Sequence, residues 1–242
     1  MGKLEGLNFL IDTGANVSSI ERRIAKKFEL AGEAGKLSLF NQKIEIVRVM
    51  LPRLQLGPIR VESLPGLVQD LSPVEKALGV RIDAIVGLDV MSRSSFIVDY
   101  ESKKISFGPL EPSTSAVPFD TGSPSLGVTV QLRIQGQRVR LLVDTGTAQL
   151  LLNECNLPPN LHVLPTQSVK QSFNSAMIPF DTEEVRVAQV RLGASDFGVE
   201  KSFLLNDHTD CRQSINGVLG VRSLRLKWIA FDFERRRFGW RN

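Results

Sequence analysis

The chain has 242 residues, of which 42% are hydrophobic and 23% are charged, as is typical of a globular protein. These fractions exclude disordered, collagen-like and disulfide-scaffold proteins, and no apolar stretch is long enough for a membrane span. The net charge of +4 predicts a solvated face rather than a nucleic-acid interface, because no nucleic-acid-binding motif accompanies it.

Short strands dominate the pattern in the first half of the chain. An apolar strand at residues 9–11 leads into Asp12. A short amphipathic helix then begins at an N-cap of Ser18 or Ser19, with apolar residues every four positions. These apolar residues are Ile20, Ile24 and Phe28. Apolar residues on both sides of the segment 40–43 predict a hairpin.

The second half repeats this character after a connection rich in Pro and Ser at residues 108–115, which predicts two units, 1–110 and 111–242. Alternating apolar residues at 128–134 predict a strand with one buried face. The helix of the second unit is expected to be shorter or absent, because two prolines stand in the corresponding region, at 158–159. Runs of strands with few helices predict an all-β fold.

Three landmarks of the first unit recur in the second at an offset of 132 or 133 residues. The pairs are residues 9–15 and 141–147, 84–87 and 217–220, and 96–100 and 228–233. One offset shared by three separate landmarks indicates a tandem duplication of a unit the size of a small domain.

The first landmark delivers an Asp-Thr-Gly triplet from a buried strand, at Asp12 and again at Asp144. Such a triplet can be a simple Asx turn, but an apolar-apolar-Gly element about 75 residues downstream of each copy favours a functional pair. A third triplet at residues 120–122 lacks that element, and Pro118 interrupts the strand before it. We interpret the third triplet as a turn in the connection between the units.

These motifs resemble those of aspartic peptidases of the retropepsin–pepsin clan. The resemblance covers nearly the whole chain, and small bacterial two-lobed retropepsin-like peptidases are the most similar kind. It implies two barrel-like lobes related by a pseudo-two-fold axis, with the active site in the cleft between them. The chain would then be a monomer with an internal pseudo-dimer, where viral members use two identical chains.

The resemblance also implies the residue roles. Asp12 and Asp144 would form a dyad that shares one proton, so that the ionised member activates a water and the protonated member binds the scissile carbonyl. Two threonines would lock the loops together across the lobe interface. The residues that support the loops are Thr13, Gly14, Ala15, Thr145, Gly146 and Thr147.

The flap over the cleft departs from the pepsin pattern, because the single tyrosine, Tyr100, stands beside a late strand. A retropepsin-like flap is expected from either unit or both. The candidates are Phe40, Asn41, Gln42, Phe173, Asn174 and Ser175. Three methionines are expected to fill the core rather than to set specificity. They are Met50, Met91 and Met177.

Two functions are compatible with these motifs. The favoured one is an endopeptidase that hydrolyses extended peptides with apolar side chains near the scissile bond. The alternative is a non-catalytic protein that keeps the fold and binds peptides by β-strand addition.

No cofactor or metal is expected, since the two cysteines and two histidines lack the spacing of metal ligands. Cys155 and Cys211 are expected to be free buried thiols rather than a disulfide.

The strand at 128–134 has no counterpart before Asp12, which only eleven residues precede. We therefore expect a natural precursor with a longer N-terminus. A secretion signal there would make the protein periplasmic or secreted, and without one it would be cytoplasmic. The alternative is a shorter first barrel, or a gap filled by the tail near Trp240.

Overall fold

The computed structural model describes residues 1–39, 42–111, 115–121, 127–172, 179–205 and 215–242. Strands account for most of them, and the helices are short, so the predicted all-β fold is confirmed. The arrangement is that of the acid protease fold. No helix in these six ranges is long and apolar enough to cross a membrane.

The first half contributes ten strands and three helices within the described ranges. In chain order they are β1 (Phe9–Ile11), β2 (Ser19–Glu21), α1 (Arg22–Lys27), β3 (Gly32–Leu39), β4 (Gln42–Leu51), β5 (Leu54–Leu56), β6 (Ile59–Val61), β7 (Leu64–Gln69), α2 (Ser72–Leu78), β8 (Ala84–Val86), α3 (Leu88–Met91), β9 (Phe96–Asp99) and β10 (Lys104–Phe107).

The second half contributes ten further strands and one 3₁₀ turn in the part of the chain that is described. They are β11 (Ala116–Asp120), β12 (Thr129–Ile134), β13 (Gln137–Asp144), β14 (Leu150–Asn153), the 3₁₀ turn Glu154–Asn156, β15 (Leu164–Ser172), β16 (Pro179–Leu192), β17 (Ser195–Leu205), β18 (Gly217–Gly220), β19 (Trp228–Asp232) and β20 (Arg237–Arg241).

The two halves have matching sheet topology. In the first, β8 lies between β1, to which it is parallel, and β2, to which it is antiparallel. In the second, β18 lies in the same way between β13 and β14. β2 and β14 each continue into a parallel partner, β7 and β17. The long hairpins β3–β4 and β15–β16 complete each half, and the first lies where the apolar residues on both sides of residues 40–43 predict a hairpin.

A sheet shared by the two halves joins them, because β9 pairs with β19 in antiparallel fashion. Within this pair Ile97 lies opposite Ala230, and these two residues are 133 positions apart in the chain. Pairing of equivalent positions is the arrangement expected across a two-fold axis. Fully buried aromatic rings fill the sheet: Phe96 stacks on Phe231 at 4.8 Å, and Phe231 contacts Phe238 edge-on at 5.3 Å.

The predicted first helix begins later than its apolar spacing suggests. Ile20 belongs to β2, where its backbone pairs with two neighbouring strands, and α1 starts only at Arg22. Its N-cap is Glu21, whose carboxylate accepts a hydrogen bond from Arg23 N at 2.6 Å. The serine N-cap is therefore wrong. The expected shortening of the second helix is confirmed, because only a single 3₁₀ turn, Glu154–Asn156, is present there.

The segment before the third triplet also differs from the prediction. Pro118 does not interrupt β11 but lies inside it, opposite Arg237. An exposed proline is tolerated at a strand position that needs no N–H donor. Asp120 is the last residue of that strand rather than part of a turn, and Gly122 lies outside the described residues.

The predictions for the methionines and cysteines are confirmed only in part. Met91 is fully buried, as predicted, but Met50 is 54% exposed, because it alternates along β4 with the buried Val49 and Leu51. Met177 lies outside the described residues. Cys155 is disulfide-bonded, so the prediction of free thiols is wrong for it, and Cys211 is not among the described residues.

The shared sheet yields a stability prediction. Phe96→Ala removes a fully buried ring from the contact between β9 and β19, and should lower the free energy of unfolding by about 3–5 kcal/mol. Met50→Ala, at an exposed position, should change it by less than about 0.5 kcal/mol. Urea unfolding monitored by circular dichroism measures both. Equal stabilities for the two variants would contradict this role for the sheet.

Candidate active site

The two sequence-predicted aspartates lie at the ends of equivalent strands. Asp12 follows β1, and its backbone N–H donates to Val86 O of β8 at 3.0 Å. Asp144 is the last residue of β13 and pairs with Gly220 at the end of β18. In each half, therefore, the apolar-apolar-Gly element pairs with the end of the preceding strand and fixes the position of its aspartate.

The structure brings the two carboxyl groups together, close enough for each to act on the pKa of the other. The glycines of the two loops permit this approach. A Cβ atom at Gly14 would lie 2.6 Å from Asp144 Cγ, and one at Gly146 would lie 2.9 Å from Asp12 Cγ. Each loop therefore requires glycine because the aspartate of the other loop occupies the space of a side chain.

Each aspartate is held by backbone N–H groups of its own loop. Asp12 Oδ1 accepts from Gly14 N at 2.9 Å and from Ala15 N at 3.2 Å. Asp144 Oδ1 accepts from Gly146 N at 2.6 Å. These bonds are also those of an ordinary Asx turn, so they do not by themselves distinguish a functional loop from a structural one.

Further hydrogen bonds join the two loops to each other. Thr13 Oγ1 donates to Val143 O at 2.8 Å and accepts from Thr145 N at 3.2 Å. Thr145 Oγ1 donates to Ile11 O at 2.7 Å and accepts from Thr13 N at 3.1 Å. The four bonds form a reciprocal set, in which each hydroxyl both gives to and receives from the opposite half of the chain.

The glycine at the end of each downstream element lies against the aspartate loop. A Cβ atom at Gly87 would come within 2.6 Å of Ala15 O, and the next residue, Leu88, donates its backbone N–H to that same oxygen at 2.8 Å. In the second half, Gly220 N donates to Gln149 O at 2.9 Å. This packing explains why glycine ends both apolar elements.

Four positioning residues escaped the sequence analysis. Asp83 accepts from Asn8 N at 2.9 Å, and Asn216 accepts from Arg140 N at 2.7 Å, so each steadies the strand that leads to its aspartate. Asp83 and Asn216 are 133 residues apart, so extending the self-comparison beyond the three landmarks finds them.

The other two positioning residues are found only in the first half. Asp89 accepts from Ser18 N at 2.8 Å and from Ser18 Oγ at 2.6 Å, and Gly87 N donates to the same hydroxyl at 3.0 Å. Leu150 and Arg222 stand at the equivalent positions of the second half, so the repeat gives no signal for this pair.

The environment raises the pKa of both carboxyl groups. Burial is the largest cause at Asp12, whose pKa lies well above its usual range, and the charge of Asp144 raises it further. Burial also raises the pKa of Asp144, but hydrogen bonds from Asp12 and from the Thr147 hydroxyl act in the opposite direction. The pair therefore keeps a proton at a pH where isolated aspartates are ionised.

The predicted flap falls largely outside the described residues. Gln42 is the first residue of β4, while Phe40 and Asn41 are not among those described. The second candidate, residues 173–175, lies outside them as well. The described hairpin strands on either side of these segments are β3–β4 and β15–β16. Tyr100 follows β9, and burial raises its pKa to about 12.

A cavity of about 870 Å³ lies elsewhere, between α1 and the hairpin β3–β4. Its floor includes Ala25 and Ile46 and its rim carries Arg22 and Lys26, but neither aspartate lines it. Among the described residues no cluster of His, Cys, Asp and Glu could hold a metal ion.

A comparison with protein families bears on the first of the two aspartate loops. Residues 2–90 match a family model described as Aspartyl protease, and the matched segment contains the first Asp-Thr-Gly loop and its Gly87 element. The match supports an aspartic peptidase of the retropepsin-like type, and with it a protease-like function. No curated protein matches the chain.

Removing one threonine hydroxyl tests the bonds between the loops. Thr13→Val keeps the shape of the side chain but leaves Val143 O and Thr145 N without their partner, which should cost about 2–4 kcal/mol of unfolding free energy. Thr145→Val should cost a similar amount, and the double variant less than the sum, because both remove one network. Chemical denaturation measures the three values.

The third triplet supplies the matched control, since Thr121 is exposed. Thr121→Val should change the stability by less than about 0.5 kcal/mol. If Thr13→Val and Thr145→Val are as stable as Thr121→Val, the hydrogen bonds between the loops do not stabilise the fold as predicted.

The raised pKa values predict how stability changes with pH. A carboxyl group whose pKa is higher in the folded than in the unfolded chain binds its proton more tightly when folded, so the free energy of unfolding falls as pH rises from about 4 through the folded-state pKa. Asp12→Asn removes this loss, and its stability relative to the wild type should increase between pH 4 and pH 7. Thermal unfolding across that range measures the difference, and a stability of Asp12→Asn that does not rise relative to the wild type would contradict the raised pKa.

Proposed function

We propose that the chain is an aspartic endopeptidase in which Asp12 and Asp144 act as one dyad in a cleft between two lobes. The observation that carries the proposal is the reciprocal bonding of Thr13 and Thr145, which holds two neighbouring carboxyls at the junction of the two halves. A pair held this way can share one proton, which is the requirement for acid and base catalysis by two chemically identical groups.

The reaction follows from that shared proton. The ionised carboxylate takes a proton from a water held between the two groups, and the water oxygen attacks the scissile carbonyl carbon. The protonated carboxyl hydrogen-bonds the carbonyl oxygen and gives it the proton as the tetrahedral gem-diol forms. No covalent bond to the protein is needed, so no further nucleophile is required.

The lobes of this proposal are residues 1–110 and 111–242, derived from a tandem duplication. The matching strand pairs of the two halves and the pairing of Ile97 with Ala230 support it. One chain then supplies both aspartates, and the enzyme acts as a monomer with an internal pseudo-dimer. Its specific activity should accordingly be independent of dilution, unlike that of a site built from two chains.

The energetics argue against a protein that merely binds peptides. Two buried carboxyls with raised pKa values destabilise the folded chain as pH rises, and strand addition to a peptide uses backbone groups and side-chain pockets instead. An asparagine at either position would keep the turn without that cost. The retention of both carboxyls is explained by catalysis.

A peptide-library assay from acid to neutral pH tests the proposal. Asp12→Asn and Asp144→Asn should each reduce kcat/KM by at least about 10³-fold, because either change removes one half of the acid–base pair. Asp120→Asn is the matched control from the third triplet, and its cleavage should remain close to that of the wild type. Substantial turnover by either of the first two variants would refute the dyad.

A further inference from the structure

An apolar row of three residues crosses one face of the sheet in the first half. Ala34 of β3 lies directly opposite Val47 of β4, and Val47 lies directly opposite Val68 of β7. Residues that are directly opposite in a sheet point to the same face. Val47 is 36% exposed and Ala34 is exposed as well, so the described part of the chain covers this row only in part.

Helix α1 and the apolar row line the same cavity, which has a volume of about 870 Å³. Ala25 of the helix and Leu30, shortly after it, add further apolar surface to the lining. Cavities of this volume hold small organic ligands, and their walls are largely apolar with a few polar groups that fix the ligand. The cavity therefore suits a ligand with an apolar body.

Charged side chains surround this apolar lining. Lys36 lies directly opposite Glu45 across β3 and β4, so these two charges offset one another. Arg22 and Lys26 stand four residues apart on α1 and hence on one side of the helix, and Glu29 follows the helix. Among the described lining residues, positive charge thus exceeds negative charge, and it is concentrated on α1.

Lys26 is the cation of this group that is available to a ligand. Its helix neighbour Arg23 does not line the cavity and is held by three carboxylates, whereas Lys26 forms no ion pair with any residue in the described ranges. The carboxylates around Arg23 are those of Glu21, Glu75 and Asp83. An ammonium group without a partner beside an apolar cavity favours an anionic ligand.

Arg22, in contrast, already acts on an acid of the protein. The pKa of Asp70 is lowered mainly by hydrogen bonds from Ser72, and the charge of Arg22 contributes a smaller part. One available ammonium group matches a ligand with a single negative charge. The apolar row spans two spacings between strands, or about 10 Å, which suits an unbranched chain of several methylene groups.

We propose that this cavity binds a medium-chain alkyl carboxylate, with the carboxylate at Lys26 and the alkyl chain along the apolar row. Neither of the paired aspartates lines the cavity, so the ligand occupies a site separate from the one proposed for peptides. The inference therefore does not rest on the peptidase activity.

Calorimetric titration of the full chain with octanoate, below its micellar concentration, tests the proposal. Octanoate should bind more tightly than hexanoate by about threefold for each added methylene, because each one leaves water for an apolar wall. Acetate, which has the carboxylate alone, should not bind. Octylammonium has the same chain with the opposite charge and should bind at least about threefold more weakly. Absence of octanoate binding, or equal binding of octylammonium, would overturn the proposal.

Two pairs of variants locate the ligand. Ala34→Leu fills the exposed end of the apolar row and should weaken octanoate binding by at least about tenfold, whereas Ala77→Leu, at an exposed position of α2 outside the lining, should not change it. Lys26→Glu should weaken binding by about threefold or more, whereas Lys27→Glu, at an exposed position outside the lining, should not. Circular dichroism verifies that each variant is folded. Equal effects within either pair would contradict binding in this cavity.

Vesicles of phosphatidylglycerol distinguish a free ligand from a membrane surface. Cosedimentation of the chain with these vesicles, without binding of free octanoate, would show that the face contacts lipid bilayers and would overturn the proposal. This proposal and the peptidase proposal fail separately. If the chain binds octanoate as described but cleaves no peptide, the peptidase proposal is wrong and the carboxylate site stands.

Discussion

The site depends on one set of interactions, the reciprocal hydrogen bonds between Thr13 and Thr145. Burial raises the pKa of both carboxyls, and the charge of Asp144 raises that of Asp12 further. The two groups would separate if the loops were free to move, since separation relieves desolvation and the repulsion acting on Asp12. Four bonds between two short loops prevent this, because moving either loop leaves buried hydroxyl, carbonyl and N–H groups unpaired. The unfavourable arrangement of charge is thus maintained by neutral hydrogen bonds.

Those hydrogen bonds act over only a few ångströms, so the two loops must first be brought into alignment by a larger part of the fold. The sheet that joins the halves provides it, since β9 and β19 place Ile97 opposite Ala230 and bring Phe96 onto Phe231. Burial of these rings stabilises the folded chain but does not by itself fix how the halves are aligned, and the register of the paired strands fixes that alignment. The loops and the sheet therefore define the relation between the halves at two separate places, which a single contact could not do.

The repeat made both the fold and the paired aspartates predictable, because equal offsets between similar segments identify equivalent strands in the two halves. Local sequence patterns were less reliable where pairing with neighbouring strands determines the conformation of a residue. Ile20 fits a helical spacing, yet pairing with two strands keeps it in β2. Pro118 resembles a strand breaker, but it lies in β11 opposite Arg237. Long-range contacts such as that of Asp89 with Ser18 cannot be recognised from spacing in the sequence, because they join residues 71 positions apart and occur in one half only.

A single chain permits an asymmetry that two identical chains cannot encode. When symmetry makes both loops the same, the surroundings alone cannot favour one carboxyl as the carrier of the proton, and the substrate must break the tie. Here the halves have diverged at Ala15 and Thr147, and also at Ser18, whose equivalent is Leu150. The divergence lies beside the aspartates, while the threonines that hold the loops together are the same in both halves. Local differences of this kind between two otherwise matching halves keep the geometry of a symmetric site and allow its two acids to differ.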